Sequence, residues 1–454
     1  MLDTRGDRPM MFVRIKMARL RFLRVLAIAV CAAVGESSGQ YLEGVVPTGD
    51  TPTWIVWSPA VNKVYCSNEQ DASITVISGE TNQVLTTIQV GDYPSFLCLN
   101  ADGSKLYCTR GEENRLVIVD TRADTVLKTL NIPNYPGHMV FNSTMSKLYI
   151  SCNDDPVYRI TVLDATADTV MCYIPVRGVG RLLWHPVTNR VFCYRSGDVD
   201  TVKVIDCATD QIVTQTPLLT TGGLGVWCHN PVNDFAYLAT YHVVCALTPT
   251  GDSVMARIPG GGAGDYDLCA VPLPNKVYGA GNGVIRVIDS DSNLVRDSLV
   301  VGGGWMKLVY DSEHKKVYCS NASARKVDII DAQADTLIKT IPLGQALCVA
   351  CHNRVNSRVY ISDETANVVY VLRDTSSGVN EGSETAVGNR WRGTTLTQGA
   401  FFWSRDETGA LLDVSGRMVA VLRPGHNDLR ALAPGVYAAV TADGGYRLRM
   451  VKIK

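Results

Sequence analysis

Lys63-Val64-Tyr65-Cys66-Ser67-Asn68 decides the fold, because it returns along the chain as Lys105-Leu106-Tyr107-Cys108, Lys147-Leu148-Tyr149-Ile150-Ser151, Arg190-Val191-Phe192-Cys193, Lys276-Val277-Tyr278, Lys316-Val317-Tyr318-Cys319-Ser320-Asn321 and Arg358-Val359-Tyr360-Ile361-Ser362. A weaker copy stands at Phe235-Ala236-Tyr237. The aromatic positions 65, 107, 149, 192, 237, 278, 318 and 360 are 42, 42, 43, 45, 41, 40 and 42 residues apart. Eight copies at so steady a period are not chance. After each aromatic comes an alternating apolar run ending in Asp or a small residue, such as Leu116-Val117-Ile118-Val119-Asp120 or Val327-Asp328-Ile329-Ile330-Asp331. These read as short β-strands. A turn such as Thr121-Arg122-Ala123-Asp124-Thr125 leads to a further strand at 126–132, and a Gly/Pro corner leads to the next apolar strand, for example 95–99. Four strands per repeat of ~40–45 residues is the signature of a β-propeller, whose sheets bury both faces only against their neighbours. The expected fold is all-β, with eight blades, or seven if the degenerate fifth copy is not a blade.

The ring needs closing. After the third strand of the last copy, residues 368–372, no fourth strand follows. Residues 42–47, continuing Thr48-Gly49-Asp50-Thr51-Pro52, match Ile88-Gln89-Val90-Gly91-Asp92-Tyr93-Pro94. Residues 42–47 are therefore expected to complete the last blade and remove the open edge. On these residues the stretch 41–374 resembles the YVTN family of β-propellers, whose signature is a basic residue, an apolar one, then Tyr-Val-Thr-Asn and an apolar strand ending in Asp. Cys66, Cys108, Cys193 and Cys319 take the Val position, and repeats four to six lose the Thr-Asn end. The resemblance implies a fold far more than a function.

Residues 1–24 carry seven basic and two acidic groups, and Val25 to Val34 follows without a charge. With Ala32, Ala33, Gly35, Ser37, Ser38 and Gly39 next, residues 1–35 read as a secretory signal peptide; the apolar run is about half of the ~20 residues a membrane-spanning helix needs. Its removal leaves a net charge of −6. A mildly acidic exported chain has no electrostatic reason to seek nucleic acid or an anionic membrane. No transmembrane span is expected in the mature chain.

Residues 375–390 turn to Ser, Gly, Glu and Asn, a linker composition. Beyond it, residues 391–454 read as a small Ig-like β-sandwich with turns at Ser415-Gly416, Pro434-Gly435 and Asp443-Gly444-Gly445. The succession Asp413-Val414-Ser415-Gly416-Arg417, Pro434-Gly435-Val436-Tyr437 and a final strand bearing Lys452 resembles the C-terminal sorting domain of type IX secretion substrates. The resemblance implies passage through the periplasm, recognition by the type IX secretion machinery and a secreted or cell-surface destination.

Chemistry is sparser. Cys348-Val349-Ala350-Cys351-His352 matches the C-x-x-C-H of haem attachment. Yet Cys351 falls nine residues before its Tyr, as do Cys98, Cys228 and Cys269 before theirs, so the repeat already accounts for it as a core residue. No cofactor is expected. Thirteen cysteines remain after cleavage, an odd number on apolar strands, which fits small buried hydrophobes better than a disulfide framework. Metal-ligand spacings are absent and the seven histidines are scattered, so no metal centre is expected. Propeller ligands commonly bind where loops enter the innermost strands. Here those loops hold Asp50, Asp92, Tyr93, Tyr135, His138, Arg177, Arg181, Asp265, Tyr266, Trp305 and Lys307, with Gly-rich stretches at 222–225, 260–264 and 302–304. Mixed charge and aromatics suit a polar ligand such as a glycan, a peptide or a surface protein. The sequence thus points to a non-catalytic binding or interaction module. The alternatives are an exported lyase, lactonase or redox enzyme with its site at the channel mouth, and a structural surface-layer component.

Overall fold

The computed structural model describes residues 39–132, 135–153, 158–176, 179–195, 200–220, 225–260, 267–344, 346–375, 391–397, 400–403, 408–412, 418–423, 425–433, 435–441 and 447–452. The molecule is an eight-bladed β-propeller followed by further β-strands. Blade 1 is Pro52–Ser58, Lys63–Asn68, Ser73–Ser78 and Val84–Gln89, an antiparallel meander running from the axis outward. Blades 2 to 7 repeat it, with inner strands Pro94–Leu99, Pro136–Asn142, Val179–His185, Val226–His229, Asp267–Val271 and Met306–Asp311. Blade 8 has Leu347–Asn353, Arg358–Asp363 and Val368–Asp374, and its outer strand comes from the other end of the chain. Gln40–Pro47 pairs antiparallel with Val368–Asp374, from Gln40 opposite Asp374 to Pro47 opposite Val368. No helix among the described residues is long and apolar enough to cross a membrane.

The third and fourth strands of a blade meet at a tight turn whose chemistry repeats. The Asp ending the third strand accepts two backbone N–H groups: Asp120 from Arg122 (2.7 Å) and Ala123 (2.9 Å), Asp331 from Gln333 (2.8 Å) and Ala334 (2.9 Å). Four residues after the end of that strand the chain must take a positive φ, which Asn, Asp and Gly tolerate best. Asn82, Asp124, Asp168, Asp210, Asn293 and Asp335 stand there at φ between 54° and 58°, and Gly251 at 72°.

The same residue bolts one blade to the previous one. Tyr65 of blade 1 donates to Asp124 of blade 2 (3.0 Å), and Lys63 pairs with the same carboxylate at 2.7 Å. Tyr149 and Lys147 hold Asp210, at 2.6 and 2.7 Å; at the blade 7 to blade 8 junction Tyr318 and Lys316 instead hold Asp374, the last residue of the third strand, at 3.0 and 2.7 Å. Lys276 and Tyr278 hold Asp335, Lys105 holds Asp168, Tyr237 donates to Asn293, and Tyr360 of blade 8 donates to Asn82 of blade 1. The repeat's basic and Tyr positions are therefore the two arms of a clamp between blades. Blade 4 breaks the rule consistently. Its aromatic is Phe192, without a hydroxyl, and the residue it meets is Gly251, where an added Cβ would come within 2.6 Å of the ring. Arg190 there bonds the Thr250 carbonyl instead.

Between blades lies the core, eight clusters in which residues of one sheet pack on the next, such as Tyr65, Val76 and Ile88 of blade 1 with Leu97, Leu106 and Val117 of blade 2. Cys66, Cys108, Cys193 and Cys319 are fully buried in such clusters. All thirteen described cysteines are free thiols, and burial pushes Cys98, Cys108, Cys193 and Cys269 up to about 12.

After the propeller, Trp391–Thr397, Arg447–Lys452, Gly435–Thr441, Gly409–Leu412 and Met418–Leu422 form one sheet in that spatial order. Ala400–Trp403 pairs with Gly425–Asp428. Leu411, Leu422, Leu429, Tyr437 and Ala439 make its small core, and the Tyr437 hydroxyl donates back to the Ala433 carbonyl at 2.8 Å. Of the motif residues, Gly435, Val436, Tyr437 and Lys452 lie on strands, while Asp413, Ser415, Gly416, Arg417 and Pro434 lie outside the described residues.

Candidate functional site at the channel mouth

Successive inner strands pack on one another around the axis, and hydroxyls of the second strands stitch them in place. Ser67 donates to the Ser95 carbonyl (2.8 Å), Thr109 to Gly137 (3.1 Å) and Ser320 to Cys348 (3.4 Å), each on the inner strand of the next blade. This fixes the height of the inner-strand residue eleven positions before each repeat aromatic: Trp54, Phe96, His138, Arg181, Val226, Asp267, Lys307 and Val349. Several of these side chains meet. The rings of Trp54 and Phe96 are 4.8 Å apart, Phe96 and His138 5.7 Å, and Trp54 and His138 6.3 Å. The Arg181 guanidinium lies 5.8 Å from the Trp54 ring centre. Blades 1 and 4 are not neighbours, so this contact crosses the channel. On the other side Lys307 faces Asp267 at 3.8 Å, and Asp267 is oriented by the Leu308 N–H at 2.9 Å.

The electrostatics follow from two cations and one carboxylate in a partly desolvated ring. Burial lowers the Lys307 pKa, with Asp267 opposing that shift and Arg181 adding to it. Burial, then Arg181 and Lys307, push His138 down to about 3, so its imidazole is neutral. Its Nδ1 accepts the Leu182 N–H at 3.2 Å, which places the proton on Nε2. His138 thus keeps Nε2–H as a donor, and its one ring lone pair is engaged by a backbone N–H.

A pH signature follows. Because the folded-state pKa lies below the ordinary 6.5, the unfolded chain takes up the proton first, and stability falls as pH drops from 6.5 toward 3. The slope from this one group is up to about 1.4 kcal/mol per pH unit. His138→Gln is expected to flatten it in urea melts between pH 6.5 and 4.5. An unchanged slope would mean that His138 is not desolvated.

Around this ring stand the rim residues. Tyr93 and Tyr135 both take φ of 55°, just before the prolines that open their inner strands, and are 36% and 50% exposed. Trp305 is 60% exposed. The Tyr135 ring lies on Gly111, where a Cβ would sit 2.9 Å from it. Asp50 is part of the rim's own bonding, accepting from Asn367 of blade 8 (3.0 Å), and the Asp92 carbonyl accepts from Arg110 (3.1 Å). Of the residues expected from sequence, His138, Arg181 and Lys307 come together in the ring; Asp50, Asp92, Tyr93, Tyr135 and Trp305 lie on the rim. Arg177, Asp265 and Tyr266 fall outside the described residues. Trp54, Phe96 and Asp267 were not anticipated, although their offset from the repeat aromatic equals that of the three that were.

The C-x-x-C-H residues do not share a face. The Cys348 thiol reaches the Ala346 carbonyl (3.5 Å) and Glu364 (3.4 Å), whereas Cys351 packs into the core between blades 8 and 1. His352 points to Asp311 of blade 7.

No protein-family model matches the chain, and no curated protein matches it by sequence. Among solved structures, a Kuenenia stuttgartiensis hydrazine synthase chain is similar over 73% of this chain and 99% of its own, at 18% identity and a TM-score of 0.54. The computationally designed Ika8 protein is similar over the same shares, at 14% identity and a TM-score of 0.60. At these identities the likeness is one of fold.

Proposed function

We propose that the chain is an exported binding module of the YVTN propeller type, whose channel mouth holds a polar ligand with a flat or apolar face, such as a glycan or a peptide. The observation that carries this reading is the convergence of Trp54, Phe96 and Arg181 from three blades, with the Lys307 and Asp267 pair opposite. Aromatic faces supply contact area at little entropic cost, and a partly desolvated guanidinium supplies a directional donor set. The occupied Nδ1 of His138 supports a binding rather than a catalytic role. The basic and apolar segments of residues 1–35 support export, and the Asp413 to Arg417, Pro434 to Tyr437 and Lys452 motifs support delivery by the type IX machinery.

Titrating the purified chain against glycan and peptide panels tests the site. Trp54→Ala and Arg181→Ala are each expected to weaken a hit by at least about tenfold, equivalent to about 1.4 kcal/mol, at an unchanged circular dichroism spectrum. A ligand whose affinity survives both substitutions would place binding elsewhere and sink the proposal.

A further inference from the structure

The face opposite the channel mouth carries a second constellation, at the junction of blades 7 and 8. Seven residues before the repeat aromatic, four of the eight blades carry Asn. Asn142, Asn230 and Asn353 cap their own turns through Oδ1, bonding the N–H of Thr144 (2.9 Å), Val232 (3.0 Å) and Val355 (3.0 Å). Their Nδ2 groups donate to Asn189, Asn275 and Asn62 of the next blade at 2.8, 2.8 and 2.9 Å. Blade 7 has Asp311 instead. Its Oδ1 still caps, accepting from Glu313 (2.9 Å) and His314 (3.1 Å), but its Oδ2 has no proton to donate and lies 2.7 Å from His314 Nδ1.

From blade 8, His352 brings Nε2 to 3.5 Å from Asp311 Oδ1, with its side chain only 6% exposed. That nitrogen has no hydrogen-bond partner. If it carries a proton, a buried donor is left unused; if it carries the lone pair, that lone pair faces a carboxylate. Both are costly, and a cation between the two groups relieves either. Charge balance points the same way. Asp374, whose ligand oxygen lies within 4.8 Å of those of Asp311 and His314, is already matched by Lys316 at 2.7 Å. Asp311, 1% exposed, has two imidazoles as its ion-pair partners among the described residues.

We propose that Asp311, His314 and Asp374, whose ligand atoms lie within 4.8 Å of one another, form a site for one divalent transition metal of the zinc class, with His352, 3.5 Å from Asp311 Oδ1, as its fourth group. Imidazoles and carboxylates are a common donor set for such ions. On binding, the proton on His314 Nδ1 moves to Nε2 and the freed lone pair takes the metal. The ligands are buried, so the metal acts as a structural pin between blades 7 and 8. It lies beside the strand that closes the ring, since Gln40 also donates to Asp374, at 3.1 Å.

The test uses the full chain, stripped with a chelator and titrated with Co²⁺ and then Zn²⁺. One equivalent of Co²⁺ is expected to bind with visible bands free of thiolate charge transfer, to be displaced by Zn²⁺, and to raise the unfolding midpoint. Asp311→Asn installs the residue that blades 3, 5 and 8 use, and His352→Tyr installs the one at the matching position of blade 7. Both are expected to keep the metal-free midpoint of the parent and to lose at least 100-fold in affinity, whereas His229→Leu changes nothing. Thiolate bands, binding that survives Asp311→Asn and His352→Tyr, or no uptake at micromolar metal would each overturn the proposal.

Discussion

A chain that begins at residue 48 is expected to lose the cooperative unfolding transition of the propeller. Gln40–Pro47 is the outer strand of blade 8, and its removal strips the ladder from Val368–Asp374. Val46, 3% exposed, leaves a cluster that includes Ile55, Val64, Val369 and Val371, so both sides of the blade 8 to blade 1 junction are opened to water. Glu43 leaves too, and with it the ion pairs to Arg358 and Arg373. Burial pushes the Glu43 carboxyl up, but those two guanidiniums outweigh it and hold it below its ordinary range, so the pairs stabilise the closed ring above about pH 4.5. The exposed edge also invites pairing with other chains. Because a ring lacks independent blades, the loss is on the order of the whole stability of a domain, about 5–15 kcal/mol. Calorimetry and limited proteolysis check it: a transition within a few degrees of the parent would show that the blades hold without closure.

Asp335→Ala is expected to cost about 3–5 kcal/mol, because it leaves a buried ammonium without its partner. Lys276 is 2% exposed, and its Nζ and the Tyr278 hydroxyl both close on this one carboxylate across the blade 6 to blade 7 junction. The substitution also removes a residue suited to positive φ. Combining Asp335→Gly with Lys276→Met and Tyr278→Phe is expected to recover much of the loss, since an apolar joint avoids the desolvation penalty altogether. Denaturant melts decide the matter. A single-mutant loss below about 1 kcal/mol would mean that the clamp is a consequence of packing rather than a support for it.

The blade count and the closing strand were legible because each depends on local pattern and period. A recurring Lys-x-Tyr marks a second strand wherever it occurs, and residues 42–47 looked like the missing outer strand because they match residues 88–90. The clamp was not read, although both halves were in view. Tyr65 and Asp124 are 59 residues apart, and only the placement of adjacent blades shows that one repeat's Tyr serves the next repeat's turn. The channel was half legible for a related reason. His138, Arg181 and Lys307 stood out as polar residues near loops, whereas Trp54 and Phe96 looked like ordinary strand hydrophobes. Alternation separates two faces of a strand but does not say which of them borders a channel. Asp50 attracted notice for its charge, and the fold uses it to tie the rim. The Asp311 cluster was hidden altogether, since its histidines sit 3 and 41 residues from the Asp, and no local ligand spacing results.

The joint between Phe192 and Gly251 gives the molecule a grain. At the other seven seams the clamp closes side chain on side chain, whereas here an aromatic face rests against a bare backbone and Arg190 reaches a backbone carbonyl. Thermal breathing should therefore begin at this fault line, and backbone amides of Lys203 to Asp206 should exchange with solvent earlier than their counterparts Asp328 to Asp331 in blade 7. Arg181 belongs to the blade on one side of that fault. The contact between its guanidinium and Trp54 is therefore carried on one bank of the fault, beside the joint expected to open first.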